Sequence, residues 1–123
     1  MAQRDPEKVL GPLEAEVMNL LWSAGRPMSV RDVLAQLNRS RSEPLAYTTA
    51  MTVLARLAEK EILARVRDGR GYVYEPAVSD VAQIAVRGVM REFGDAAMAR
   101  FVDEARADPE MLRRLQGLLS EEP

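Results

Sequence analysis

Hydrophobic positions in this chain recur first at helical spacing, then alternate, then return to helical spacing. Leu13, Val17, Leu20 and Leu21 follow the i, i+4, i+7, i+8 pattern of a helix with one buried stripe. Gly11-Pro12 opens that helix, with the proline where a missing N–H costs nothing, and Gly25 ends it. Trp22 on this helix is expected to pack against the core. Ser29 begins a second helix, with Asp32 placed to complete a capping box and Val30, Val33, Leu34 and Leu37 along one side, ending near Asn38. The polar run Arg39 to Pro44 is a loop. A third helix is predicted from about Ala46 to Lys60, with Ala50, Val53, Leu54 and Leu57 turned inward.

The period then changes. Leu63 to Arg67 and Tyr72 to Glu75 alternate apolar with polar, as half-buried strands do, around the tight turn Asp68-Gly69-Arg70-Gly71. Asp68-Gly69 suits the positive backbone angles of a two-residue hairpin loop, and Pro76 stops the second strand. Past Val78 the helical period returns in three short segments. Ser79 is expected to cap the first, with Val81, Ile84, Ala85, Val89 and Phe93 on its inner side and Gly94 as its stop. Met98, Phe101 and Val102 mark the second; Asp108-Pro109-Glu110 opens the third, which carries Leu112, Leu115, Leu118 and Leu119.

These elements predict a mainly α fold with a small β-hairpin: a winged helix-turn-helix domain over residues 10–77, followed by a C-terminal helical dimerisation domain over 78–123. Residues 1–9 are polar and aperiodic, and are expected to form a flexible N-terminus. Three short amphipathic helices cannot enclose a core of their own, and the simplest cover is a second copy of themselves. The dimer surface is therefore expected to draw on Val81, Ile84, Val89, Phe93, Met98, Phe101, Val102, Leu112, Leu115 and Leu119.

Composition narrows the chemistry. The 123 residues contain neither cysteine nor histidine, which removes disulfides, thiolate metal sites and histidine-based catalysis together. No carboxylate cluster has the spacing of a metal or acid–base site, so an enzyme, a metal and a cofactor are not expected. No apolar run is long enough to cross a bilayer and no secretory leader stands at Met1, so a cytoplasmic location without membrane contact is expected.

The net charge is −2, but its distribution is uneven. Between Arg26 and Tyr74 nine basic residues face five acids, whereas between Ala77 and Pro123 six face nine. A basic middle and an acidic tail fit contact with double-stranded DNA by one half and a different task for the other. The third helix sharpens this reading. Its solvent side carries Thr48, Thr52, Ala55, Arg56 and Glu59, with Tyr47 and Met51 on the flanks. A merely solvated face is better served by Glu, Lys and Gln, because threonine is a mediocre helix former. A hydroxyl-bearing helix followed by a basic hairpin is how a winged helix offers side chains to the major groove and to the backbone beside it.

In this order of elements, the segments LGPLEAEVMNLLW, SVRDVLAQLN, AYTTAMTVLARLAEKE and RDGRGYVYEP resemble the BlaI/MecI penicillinase-repressor family of bacterial transcription regulators. The resemblance spans about Leu10 to Leu119 and rests on the combination of segments. It implies a homodimeric repressor, active on a palindromic operator with TACA/TGTA-like half-sites, that controls β-lactamase or related genes. By position, Tyr47, Thr48, Thr49, Met51, Thr52 and Arg56 would meet bases or adjacent phosphates, with thymine methyls against Thr49, Thr52 or Met51. Arg67 and Arg70 of the wing would touch the backbone.

The resemblance further implies release by a sensor-linked protease that cuts before a phenylalanine, here the Arg100–Phe101 bond. Relatives carry asparagine at the position of Arg100, and a glycine that closes the recognition helix at the position of Glu61. Copper-responsive relatives carry tail cysteines, which this chain lacks. Two other functions would use the same elements: a regulator sensing a small ligand between its domains, and a winged helix devoted to protein–protein contact.

Overall fold

The structure, a computed structural model, describes residues 6–121. Six α-helices and one antiparallel hairpin follow one another among the described residues: α1 Pro12–Ala24, α2 Val30–Asn38, α3 Tyr47–Glu59, β1 Leu63–Asp68, β2 Gly71–Pro76, α4 Val81–Phe93, α5 Asp95–Ala107 and α6 Pro109–Ser120. These divide into two compact units, the first ending at Ile84 and the second beginning at Ala85. Residues 1–5 of the expected flexible N-terminus lie outside the described residues. Pro6–Lys8, however, forms a 3-10 turn, with the Val9 and Leu10 N–H groups donating to the Pro6 carbonyl and Leu10 buried.

Local chemistry sets both ends of α1 and the start of α2. Glu14 reaches back to accept from the Gly11 N–H at 3.4 Å, and Gly25 turns α1 off in the left-handed region at φ 65°. Ser29 and Asp32 close the expected capping box on α2, satisfying two N–H groups that the helix leaves unpaired. Asn38 then clasps the next helix's approach, accepting from the Leu45 N–H at 2.8 Å and donating to its carbonyl at 3.3 Å.

The core of this unit gathers Val17, Met18 and Leu21 from α1, Val33 and Leu37 from α2, and Val53, Leu54 and Leu57 from α3. Leu63 and Tyr74 at the base of the hairpin join it, as do Val78 and Ile84 beyond the hairpin. Met28, between α1 and α2, exchanges both backbone hydrogen bonds with Tyr74, which adds a bridge to the outer side of β2.

The end of α3 is closed without a glycine. Glu61 itself adopts φ 62°. Its N–H donates to the Ala58 carbonyl at 3.0 Å, and the Ile62 N–H donates to the Leu57 carbonyl at 2.9 Å. This pair of bonds is a Schellman motif, sealed by burial of both Ile62 and Leu57. A glutamate in the left-handed conformation carries a Cβ penalty that glycine lacks, roughly 1–2 kcal/mol.

Four expectations need correction here. The hairpin loop is Gly69-Arg70, because Asp68 pairs with Gly71 in the ladder; only Gly69 has positive φ (63°), where a type I′ loop on Asp68-Gly69 would need two such residues. The cap of α4 is Asp80, whose Oδ1 accepts from the Gln83 N–H at 2.9 Å, while the Ser79 N–H donates to the Gln83 side chain. The boundary between the units falls at Ile84 rather than at Ala77, because Val78 and Ile84 are buried in the core of the first unit. Val81 and Ile84, expected on the dimer surface, are 5% and 7% exposed within the chain itself and are not available to a second copy.

The second unit has the opposite character. In α5 and α6 only Ala105 is fully buried, and Val86, Val89, Phe93, Met98, Phe101, Val102, Leu118 and Leu119 are exposed. Asp108 caps α6 by accepting from the Glu110 and Met111 N–H groups.

Candidate nucleic-acid interface

The inward side of α3 is fixed by Ala50, Val53, Leu54 and Leu57, all buried, which forces Thr48, Thr52, Ala55 and Arg56 outward. Tyr47 and Met51 are nearly half exposed on one flank of that face. Thr49 is half-buried on the other. The helix thus stands as a ridge between two clefts. On one side Thr48, Thr49, Thr52 and Arg56 face Gly11 to Glu14 at the start of α1. On the other, Tyr47, Met51 and Ala55 face Arg65, Tyr72 and Tyr74 of the hairpin, with Ser29 to Arg31 alongside. Every α3 residue expected from the sequence as a DNA contact lies on this ridge.

The hairpin is buried only at its base. Leu63 and Tyr74 belong to the core, while Arg65 through Tyr72 are all exposed. Arg67 stands opposite Tyr72 in the ladder, and Arg70 sits in the loop at the tip. The strands therefore project as a wing and carry both expected arginines away from the core.

The cations around this surface are of two kinds, paired and open. Lys60 pairs with Glu14 at 3.2 Å, and Arg41, in the loop before α3, pairs with Glu16. Arg56, Arg65, Arg67 and Arg70 have no carboxylate partner among the described residues. The hydroxyls of Thr48, Thr49 and Thr52 likewise have no hydrogen-bond partner there. Hydroxyls and guanidinium groups left open on one ridge and its wing are donors suited to phosphates and base edges.

Arg65 and Tyr72, not among the expected contacts, line the same cleft. The Arg65 guanidinium carbon lies 4.4 Å from the centre of the Tyr72 ring, and that of Arg67 lies at 5.8 Å. The alternation Arg65-x-Arg67 against Tyr72-x-Tyr74 was the available signal, but it required the loop to be placed at Gly69-Arg70 first.

Trp22 packs against the core and donates its indole N–H to the Val78 carbonyl at 3.0 Å, as a structural residue does. No group of three metal-ligating side chains occurs among the described residues. No helix among them is long and apolar enough to cross a membrane.

Three helices with the last one exposed as a ridge, followed by a projecting two-stranded hairpin, define a winged helix-turn-helix of the transcription-regulator class. The sequence model of the penicillinase repressor matches residues 10–121, and the chain belongs to that family.

Among known proteins, the chain is 39% identical over an aligned length of 117 residues to the transcriptional regulator BlaI of Mycobacterium tuberculosis, covering 85% of this chain and 80% of that protein. The solved DNA-binding domain of the repressor BlaI superposes with a TM-score of 0.52 at 25% identity, covering 65% of this chain and 92% of that one. MepR of Staphylococcus aureus, a transcription regulator of a multidrug efflux pump, shares the fold over 93% of this chain and 81% of its own, with a TM-score of 0.50 at 15% identity.

Proposed function

We propose that the chain is a repressor that binds a palindromic DNA operator as a homodimer, with one half-site read by each copy. The observation that carries this reading is the α3 ridge, where three threonine hydroxyls and Arg56 stand open between two clefts. Thr48, Thr52 and Arg56 are assigned to base edges and the phosphates beside them, with Tyr47 and Thr49 on the flanks of the groove. Half-sites of TACA/TGTA type would set thymine methyls against Met51 and the methyls of Thr49 and Thr52. Arg67 and Arg70 would hold the backbone from the wing. Soluble bacterial regulators of this kind work in the cytoplasm, and a cytoplasmic site follows from the same reading.

Dimerisation is supported by the second unit. Its α4 and α5 form a groove of about 430 Å³ lined by Ala85, Val86, Val89, Met90, Ala97, Met98 and Phe101. An apolar surface left this open is unfavourable in water and marks an interaction site. A small-molecule site would need a few polar groups to orient its ligand, and this groove lining has none. A second copy fits it better than a ligand, which favours the dimer over the sensor. A single short helix also makes few base contacts, each worth about 1–3 kcal/mol, so joining two half-sites gives the affinity a repressor needs.

Inactivation by a sensor-linked protease at Arg100–Phe101 fits the same scheme. The bond lies in the middle of α5, and a cut there detaches Phe101 and all of α6 from α4. Helical backbone must open before a protease can hold it extended, so α5 would have to unwind locally first.

The test is a fluorescence-anisotropy titration of a duplex from upstream of the protein's own gene, against scrambled duplex at two salt concentrations. Saturation at two chains per duplex that survives the competitor is expected, and the bound gene region then names the target. Binding abolished equally by competitor and salt would reduce the interaction to generic electrostatic attraction.

A further inference from the structure

Arg65 occupies the hairpin face that turns toward α3. Strand alternation places Leu63, Arg65 and Arg67 on one side of β1, and Leu63 is buried in the core. Arg65 is therefore the first residue of that side to leave the core, nearer to α3 than either arginine at the wing's outer end. It lines the cleft with Met51 and Ala55 of α3 on the far wall. Its guanidinium carbon lies over the Tyr72 ring, 4.4 Å from the ring centre, and no carboxylate among the described residues neutralises it.

A guanidinium held over an aromatic face by cation–π attraction is restrained in place while its N–H donors stay available to a further partner. The geometry points to Arg65 as a DNA-backbone contact at the inner edge of the wing, with Tyr72 as the positioning residue that aims it beside the recognition helix. This rests on the DNA-binding reading above and adds two residues to it. The partner is a phosphate of the strand that borders the major groove, since a charge at the mouth of the cleft meets backbone before it meets a base edge. Loss of the contact therefore weakens all duplexes alike, unlike loss of Arg56. The ring, not the phenol hydroxyl, does the holding.

The experiment measures anisotropy affinities of the full chain across a salt series, for the upstream duplex and for a scrambled one. Arg65→Gln is expected to lower affinity by the same factor on both duplexes and to reduce the slope of log K against log salt by about 0.9 per bound chain. Arg65→Lys keeps the charge and is expected to keep most of the slope. Tyr72→Phe is expected to bind as the unchanged protein does, while Tyr72→Leu loses affinity on both duplexes with its dimerisation and urea midpoint unchanged.

An unchanged slope in Arg65→Gln, or a loss confined to the upstream duplex, would overturn the phosphate assignment. Equal weakening by Tyr72→Phe and Tyr72→Leu would overturn the ring's positioning role. The scrambled duplex reports on Arg65 even if the upstream duplex proves not to be an operator, so the two readings fail separately.

Discussion

Asn38 and Leu45 hold the turn between the two helices of the helix-turn-helix by a paired amide contact. The Asn38 side chain accepts from the Leu45 N–H at 2.8 Å and donates to the Leu45 carbonyl at 3.3 Å. The last residue of α2 thereby fixes the chain two residues before α3 begins. Each partly buried hydrogen bond contributes about 0.5–1.5 kcal/mol, and a stranded partner adds its desolvation cost. Asn38→Ala is expected to lower unfolding free energy by about 1–3 kcal/mol in urea titration. Asn38→Asp keeps the acceptor for the 2.8 Å bond and should lose less.

The left-handed Glu61 makes an opposite prediction. Glycine adopts that backbone without a Cβ clash, and the Schellman bonds from Glu61 and Ile62 involve backbone alone. Glu61→Gly is expected to stabilise the protein by about 1 kcal/mol, raising the urea midpoint with the slope unchanged. A fall in the midpoint would show that the glutamate side chain contributes more than its backbone costs.

Two apolar residues on one helix should behave differently. Ile84 is in the core of the first unit, whereas Val89, further along α4, is exposed in the groove of the second. Ile84→Ala is expected to cost about 2–5 kcal/mol of stability. Val89→Ala should cost the isolated chain little and instead raise the dimer dissociation constant, read by sedimentation at several concentrations. Equal loss of stability in both variants would remove Val89 from the dimer surface.

The α3 ridge gives the interface prediction. Thr52→Ala and Arg56→Ala leave the buried side of the helix untouched and should remain folded and dimeric. Each is expected to weaken operator binding by roughly tenfold or more, the equivalent of about 1–3 kcal/mol per contact. Unlike Arg65→Gln, they should lose discrimination between operator and scrambled duplex.

How far the amino-acid pattern led depended on the kind of information it carries. The three helices of the winged unit were evident because their apolar stripes are strong and their ends carry chemical signals such as Ser29 with Asp32. The α3 ridge followed from the same period, since a helix that buries Leu54 and Leu57 must expose Thr52 and Arg56. The Arg65–Tyr72 contact did not follow, because cross-strand neighbours are known only once the loop fixes the register, and one residue separates Asp68-Gly69 from Gly69-Arg70. Val81 and Ile84 failed for another reason. Periodicity reports which face of α4 is apolar, not whether the chain's own core or a second copy covers it.

The hydrogen bond from Trp22 to the Val78 carbonyl, with Ile84 buried a few residues on, has a bearing on how such a regulator would be switched off. Every side chain in the winged unit's core precedes residue 85. A protein severed in α5 would keep that core whole, and with it the ridge and the wing. On the dimer reading, what remains after the cut is a folded reading head limited to the few contacts of one half-site. Release from DNA would then come from lost linkage between two intact heads rather than from damage to either.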